Sequence, residues 1–163
     1  MGKGQIVSLD LILSIVVFIL LIGGIIAFWN IYILRFNANI KQEELALKAT
    51  KITDLFVESQ GVPTGWNETN VQVIGLVDRD RRLSSNKLAS LLNVTYAQIK
   101  TSLNIDANEF YFRVVDLNGA LVKAKGNFVE VGNSSLDVEQ VIEMRRFALY
   151  GNQKVVLEFS IWE

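Results

Sequence analysis

LILSIVVFILLIGGIIAFWNIYIL, residues Leu11 to Leu34, is the stretch whose reading decides the rest. It carries no charge and is interrupted only by Ser14, Gly23, Gly24 and Asn30. As a helix rising ~1.5 Å per residue it covers roughly 36 Å, enough to cross a hydrocarbon core of ~30 Å. Its apolar residues lie on every side, which excludes an amphipathic surface helix. Burying it inside a soluble core would need a large domain, and residues 35–163 are too few to supply one. The stretch therefore reads as a single membrane helix in contact with lipid, followed by one modest soluble domain.

Composition narrows what that domain does. Sixteen Lys and Arg stand against seventeen Asp and Glu, mixed along the chain, so the basic face of a nucleic-acid protein is missing. Cysteine and histidine are absent. A disulfide framework, a thiol nucleophile, a histidine-based triad and the usual zinc sites are all excluded. Carboxylate chemistry survives that test, but no pair of acids announces a cleft. The chain reads as non-enzymatic, with no cofactor, no metal and no nucleic-acid partner. An exported domain without disulfides fits archaea and many bacteria better than a eukaryotic secretory route.

Ahead of the apolar run stands MGKGQIVSLD. A secretory signal would be cut after its apolar core at small residues, and none follows Leu34. On composition alone this is an uncleaved signal anchor. The residues Lys3-Gly4-Gln5, then Ser8 and Asp10, then a long apolar helix, resemble the class III signal peptide of archaeal type IV pilins and pilin-like proteins. In that family a prepilin peptidase cuts ahead of the apolar segment, before a glutamine, in the pattern Q-x-S-x-E. Here the spacing is Q-x-x-S-x-D, one residue longer and with Asp for Glu. The resemblance implies a leader of residues 1–4, cleavage between Gly4 and Gln5, and a mature helix that joins other pilin subunits. Gly4, lacking a side chain, lets a protease approach the scissile backbone closely.

Asp10 has two readings. By the resemblance it is the assembly residue, pairing with the freed amine of a neighbouring subunit. By position alone it is a carboxylate in the headgroup region, in the first helical turn with Ser8 near the cap, where the helix dipole favours it. Positive charges flank both ends of the apolar run, so the charge rule leaves orientation open. The resemblance puts the first residues in the cytoplasm and the domain outside, on the cell surface or in an extracellular filament. Gly23 and Ala27 form a small-xxx-small pair that lets helices approach, or simply face lipid. Phe28, Trp29 and Tyr32 fit an aromatic belt at the outer interface.

Four segments follow from the pattern: leader 1–4, transmembrane helix 5–34, amphipathic stalk helix 35–60 and an extracytoplasmic domain 61–163. Leu45, Ala49, Ile52 and Phe56 recur at helical spacing, with a bend expected near Asn37–Asn39. Gly61-Val62-Pro63 ends the helix. Val71–Val77 reads as a short strand, and DRDRR (78–82) as a solvated loop. Two short helices are expected, over Lys87–Leu92 and Tyr96–Leu103, the second capped by Asn93 or Thr95. Phe110–Leu117 and Ala120–Lys125 flank Asn118-Gly119, a strong hairpin signal. Val138–Tyr150 and Gln153–Trp162 flank Gly151-Asn152.

If that last loop has two residues, Tyr150 stands opposite Gln153. Ala148 then meets Val155, Met144 meets Phe159 and Ile142 meets Ile161, all on the face that packs on the helix. Arg145 falls opposite Glu158 on the other face, an exposed pair worth at most about 1 kcal/mol. Arg146 lands opposite Leu157 on the buried face. It must reach the sheet edge or meet a carboxylate from Glu43, Glu44 or Asp54. The fold class is α+β, a long membrane and stalk helix on an antiparallel sheet with two short helices, as in pilins.

GVPTGW, VQVIGL, the two short helices and FYFRVVDLNG also resemble a domain of archaeal class III signal-peptide proteins, extending the likeness over most of the chain. Asn67, Asn93 and Asn133 head three glycosylation sequons, all beyond the membrane helix. Each also reads as an unmodified loop or cap residue. The leading expectation is a pilin-like subunit of a type IV pilus or pseudopilus. A permanently signal-anchored surface protein with a binding domain is the alternative, and an anchored hydrolase ranks third.

Overall fold

The computed structural model describes residues 3–133 and 140–163, with side chains from Asp10 onward except those of 37 and 38. The start of the expected strand at Val138–Glu139 lies outside the described residues. The chain divides into two units, Met1–Glu43 and Glu44–Glu163. One helix, α1 (Lys3–Glu58), runs through the first and into the second. Helical hydrogen bonding is unbroken through residues 37–39, and α1 stops two residues earlier than the spacing suggests.

In the second unit the order after α1 is β1 (Val77–Arg79), β2 (Arg82–Leu83), α2 (Ser85–Asn93), α3 (Tyr96–Leu103), β3 (Glu109–Asp116), β4 (Lys123–Ala124), β5 (Asn127–Phe128), β6 (Glu130–Gly132), β7 (Ile142–Tyr150) and β8 (Gln153–Trp162). Six strands form one sheet in the order β1-β2-β7-β8-β3-β6, while β4 and β5 pair separately. Every pair is antiparallel except β2 with β7. The architecture is α+β with two short helices.

The final hairpin has the register that a two-residue loop demands. Tyr150 pairs with Gln153, Ala148 with Val155, Met144 with Phe159, Ile142 with Ile161 and Arg145 with Glu158. Val155, Leu157, Phe159 and Ile161 are fully buried, and they face the last turns of α1. There Leu45, Ala49, Ile52 and Phe56 are buried as their spacing requires, joined by Thr53 and Val57. The Phe56 ring stands edge-on to Phe112 at 5.2 Å and to Phe159 at 6.1 Å. Arg146, set against Leu157, finds the carboxylate it needs: its Nε donates to Asp54 Oδ1 at 2.7 Å.

Two expected elements are different. Val71–Val77 is not a strand; only Val77 enters β1, and Val73 makes a lone bridge to Val62. The end of α1 captures the segment instead. Leu76 N–H donates to Phe56 O (3.2 Å) and Val77 N–H to Ser59 O (3.4 Å), using carbonyls that a helix end leaves without partners. Gly75 lies against the backbone of Ser59 and Gly61, where no side chain fits. Trp66 Nε1 then donates to Gly75 O at 2.8 Å.

The Asn118-Gly119 turn forms, with Gly119 N–H on Asp116 O and Asp116 N–H on Ala120 O, but it opens no full strand pair. Beyond the bridge of Val115 to Leu121 the chain leaves β3 and folds into the small β4–β5 pair. The place beside β3 goes to β6. A second turn at Lys125-Gly126, both with positive φ, makes that small hairpin.

The short helices dock through polar contacts as well as leucines. Thr95 caps α3 in a capping box with Gln98, settling the choice between Asn93 and Thr95. Tyr96 Oη donates to Glu109 Oε2 (2.7 Å) and accepts from Phe110 N–H (3.0 Å), while Lys100 Nζ reaches Glu109 Oε1 at 2.8 Å. Burial first, then the bond to Glu109, pushes the Tyr96 phenol up to about 12. The donors Lys100 and Tyr96 hold Glu109 below the usual carboxylate range. Lys87 of α2 donates to Gln60 O (2.8 Å) and Val77 O (2.7 Å), fastening the helix end to β1.

Two substitutions separate packing from charge here. Phe56→Ala is expected to destabilise the domain by about 3–5 kcal/mol. Arg146→Met, which removes the cation but leaves the Asp54 side chain 44% exposed and able to hydrate, is expected to cost about 1 kcal/mol. Urea unfolding of the two variants checks the order, and a larger loss for Arg146→Met would reverse the argument.

Candidate membrane and assembly surface

The first unit offers one continuous surface. Across Leu11 to Phe36 every large apolar side chain is exposed, and an 18-residue window reaches a mean hydropathy of 3.1 with none of it buried. This single helix is long and apolar enough to span a membrane. From Asp10 to Trp29 the helical rise is about 28 Å, close to the thickness of a hydrocarbon core. Asp10, exposed, sits at one end of the apolar run.

At the other end Trp29, Tyr32 and Phe36 form a ladder along one side, with ring centroids 6.3 Å and 6.1 Å apart. Phe36 was not part of the expected aromatic belt. Its helical spacing from Tyr32 would have found it. Spacings of four and seven residues put Gly23, Ala27 and Asn30 on one face of the helix, with open space around Gly23. Close helix approach and an interhelical hydrogen bond are both available there. Asp10 and Ser14 fall on the opposite face.

Gly4 and Gln5 lie in the first turns of α1, and their side chains are outside those described. Because the chain is already helical at Lys3, Ser8 lies at an interior helical position and Asp10 nearly two turns or more from the start. The dipole falls off within the first turn, so it contributes little at Asp10. A protease cutting Gly4–Gln5 has to open that turn, and glycine, the poorest helix former after proline, weakens it.

The three sequons are unlike one another. Asn67 is exposed, and its Oδ1 accepts from Thr69 N–H (2.9 Å) and Thr69 Oγ1 (2.7 Å). Asn93 is the last residue of α2, and its Thr95 hydroxyl is held in the capping box. Asn133 is exposed, but Ser134 and Ser135 lie outside the described residues.

On the sheet face away from α1, charged side chains line one row. Arg145 Nε meets Glu158 Oε1 at 3.1 Å and Arg113 Nε meets Glu158 Oε2 at 2.6 Å. The bond to Glu158 raises Arg113 above its ordinary value. Beside that row Phe147 and Leu117 stand exposed, lining an open groove of about 580 Å³ with Leu149, Lys154 and Arg81. Composition gave no hint of this patch, although the register of the last hairpin places Phe147 on that face. Among the described residues no three acids converge as a metal cage requires.

No family model, curated protein or solved structure matches the chain. The long apolar N-terminal helix, with its end packed on a sheet, is compatible with a pilin-like layout.

If the domain is exported and meets an N-glycosylating enzyme, Asn67 is expected to be occupied ahead of Asn93, because modification at Asn93 has to compete with a cap worth about 1 kcal/mol. Peptide masses from the purified protein read both sites. Glycan on Asn93 with Asn67 bare would overturn this ranking.

Proposed function

We propose that this chain is a non-enzymatic, pilin-like subunit of an archaeal type IV pilus or pseudopilus. It enters the membrane as a precursor, loses residues 1–4 to a prepilin peptidase, and packs with other subunits through its N-terminal helix. The observation that carries this reading is Gly4-Gln5 in the first turns of a helix whose apolar run, from Leu11, continues into the stalk of an α+β domain. Removing the leader leaves that helix on the mature protein, where its lipid-facing surface becomes a subunit-facing one. Gly23, Ala27 and Asn30 on one face supply close approach and a polar contact for such packing. Asp10 then has a reason to stand at the membrane edge. An acid in that position is costly unless a partner meets it, and the freed amine of Gln5 on a neighbour is one.

A second reading, a permanently anchored surface protein with a binding domain, draws support from the exposed Phe147 and Leu117 groove. Intact mass of the protein from its native membrane decides between them. Loss of the first four residues is expected, whereas a full-length chain would favour the anchor. Gly4→Phe should insert normally and keep its leader; maturation at the parental rate would end the leader assignment.

Asp10→Ala tests assembly separately. The variant should be inserted and processed but left out of filaments, and Asp10→Glu should be tolerated. Electron microscopy of sheared filaments, with the variant as the sole copy, reads this. Normal incorporation of the alanine variant would return Asp10 to a headgroup role.

A further inference from the structure

We propose that the open edge of β7 pairs with β6 of a second copy of this chain, joining the domains head to tail. The proposal rests on the filament reading above and names a contact that reading leaves open. Among the described residues, β6 is one edge of the sheet and most of β7 lies open beyond the short β1–β2 pair at the other. On its side away from β8, β7 is covered by described residues only at Leu149 and Tyr150, by β2. Leu149 N–H points outward, to Arg81 O at 2.9 Å, so the alternate residues Glu143, Arg145 and Phe147 turn their backbone groups the same way. Among the described residues none of those three N–H groups has a backbone partner. At the other edge Val131 pairs with Phe112 and Val114 N–H donates to Val129 O, leaving Glu130 and Gly132 to face outward.

Strand direction selects the partner. β8 is antiparallel to β7 and to β3, and β6 is antiparallel to β3, so β6 runs opposite to β7. A copy moved sideways in the plane of the sheet, without turning over, therefore brings its β6 antiparallel to β7. Pairing β7 with β7 instead needs a two-fold axis across the sheet, which reverses the α1 turns packed on it. The filament reading, in which all subunits share one polarity, excludes that reversal. The head-to-tail contact is heterologous and can repeat without closing.

Charge then selects the register. Across the outer face one row reads Arg145, Glu158, Arg113, Glu130, one residue from each of β7, β8, β3 and β6. The signs alternate, beginning positive at one edge and ending negative at the other. A neighbour's Glu130, which already accepts from its own Tyr111 Oη, placed opposite Arg145, which already meets Glu143 and Glu158, continues the alternation as an added charge contact. The same register sets Val131 over Met144 on the inner face, two half-buried side chains at the rim of the core. Shifting by two residues puts Glu130 against Glu143, or else Val131 on Arg146, which Asp54 already holds.

The chain has no cysteine, so disulfide trapping is clean. Facing residues of a hydrogen-bonded pair lie about 5.5 Å apart at Cα, within disulfide reach. Full-length Glu130→Cys and Arg145→Cys chains, both changed at exposed sites, are co-expressed in the native membrane and oxidised. Crosslinked dimer is expected only when both chains are present, and the double variant should give a ladder beyond dimer. Absence of the ladder while maleimide still labels both cysteines would overturn the contact. So would dimer from Met144→Cys alone, the signature of β7 on β7. Filaments and intact mass are scored on the same preparation. Leader-free filaments without the ladder refute this edge contact alone, and an unprocessed chain with neither refutes the filament reading as well.

Discussion

The domain depends on the seating of one ring, Phe56, in the last turns of α1. Phe112 and Phe159 approach it edge-on, and Phe110 stacks behind Phe159 at 5.8 Å. Because aromatic rings bury large areas and favour such angles, this cluster sets how the helix end meets the sheet. The orphan carbonyls that follow then recruit Leu76 and Val77, and Lys87 closes on Gln60 from the other side. A helix terminus, normally a liability inside a core, becomes the point at which three segments are tied together.

The two faces of the sheet are built differently. The inner face excludes water and tolerates one charge, Arg146, because Asp54 is on the facing helix. The outer face keeps its charges in a line, with Glu158 largely covered between two guanidinium groups. A carboxylate covered that far loses hydration, and two charge-assisted bonds offset the loss. Phe147, in register with Val156 and Val115, stands exposed beside them. Its neighbours Leu117 and Leu149 make it part of a patch, which a lone surface apolar residue would not be.

The first unit obeys a simpler constraint. In hydrocarbon every backbone donor and acceptor must be satisfied within the segment, so an apolar stretch of this length has the helix as its answer. What varies is the surface it shows. The aromatic ladder ending at Phe36 and the acid at Asp10 bracket the apolar run at opposite ends, and Asn30 is the polar group near the far one.

Where one local rule governed a segment, the sequence was enough. The apolar run, the buried stripe from Leu45 to Phe56 and the two short helices follow from periodicity, with a side-chain cap only at Thr95 of α3, since Ser84 before α2 makes none. The pairing of β7 with β8 follows from the two residues of its turn, because a side-chain period of two lets the loop set every later contact, Arg146 with its need for a carboxylate included. Where two elements competed for the same partner, the sequence could not choose. Val71–Val77 is apolar enough for a short strand, yet carbonyls at the end of α1 and just beyond it bind Leu76 and Val77 instead. Asn118-Gly119 turns as a hairpin should, but β6 takes the place beside β3. The last member of the charge row, Glu130, depends on the second of those outcomes. Tertiary structure decided them because each backbone group makes its hydrogen bonds once, and which partner arrives is a property of the whole fold.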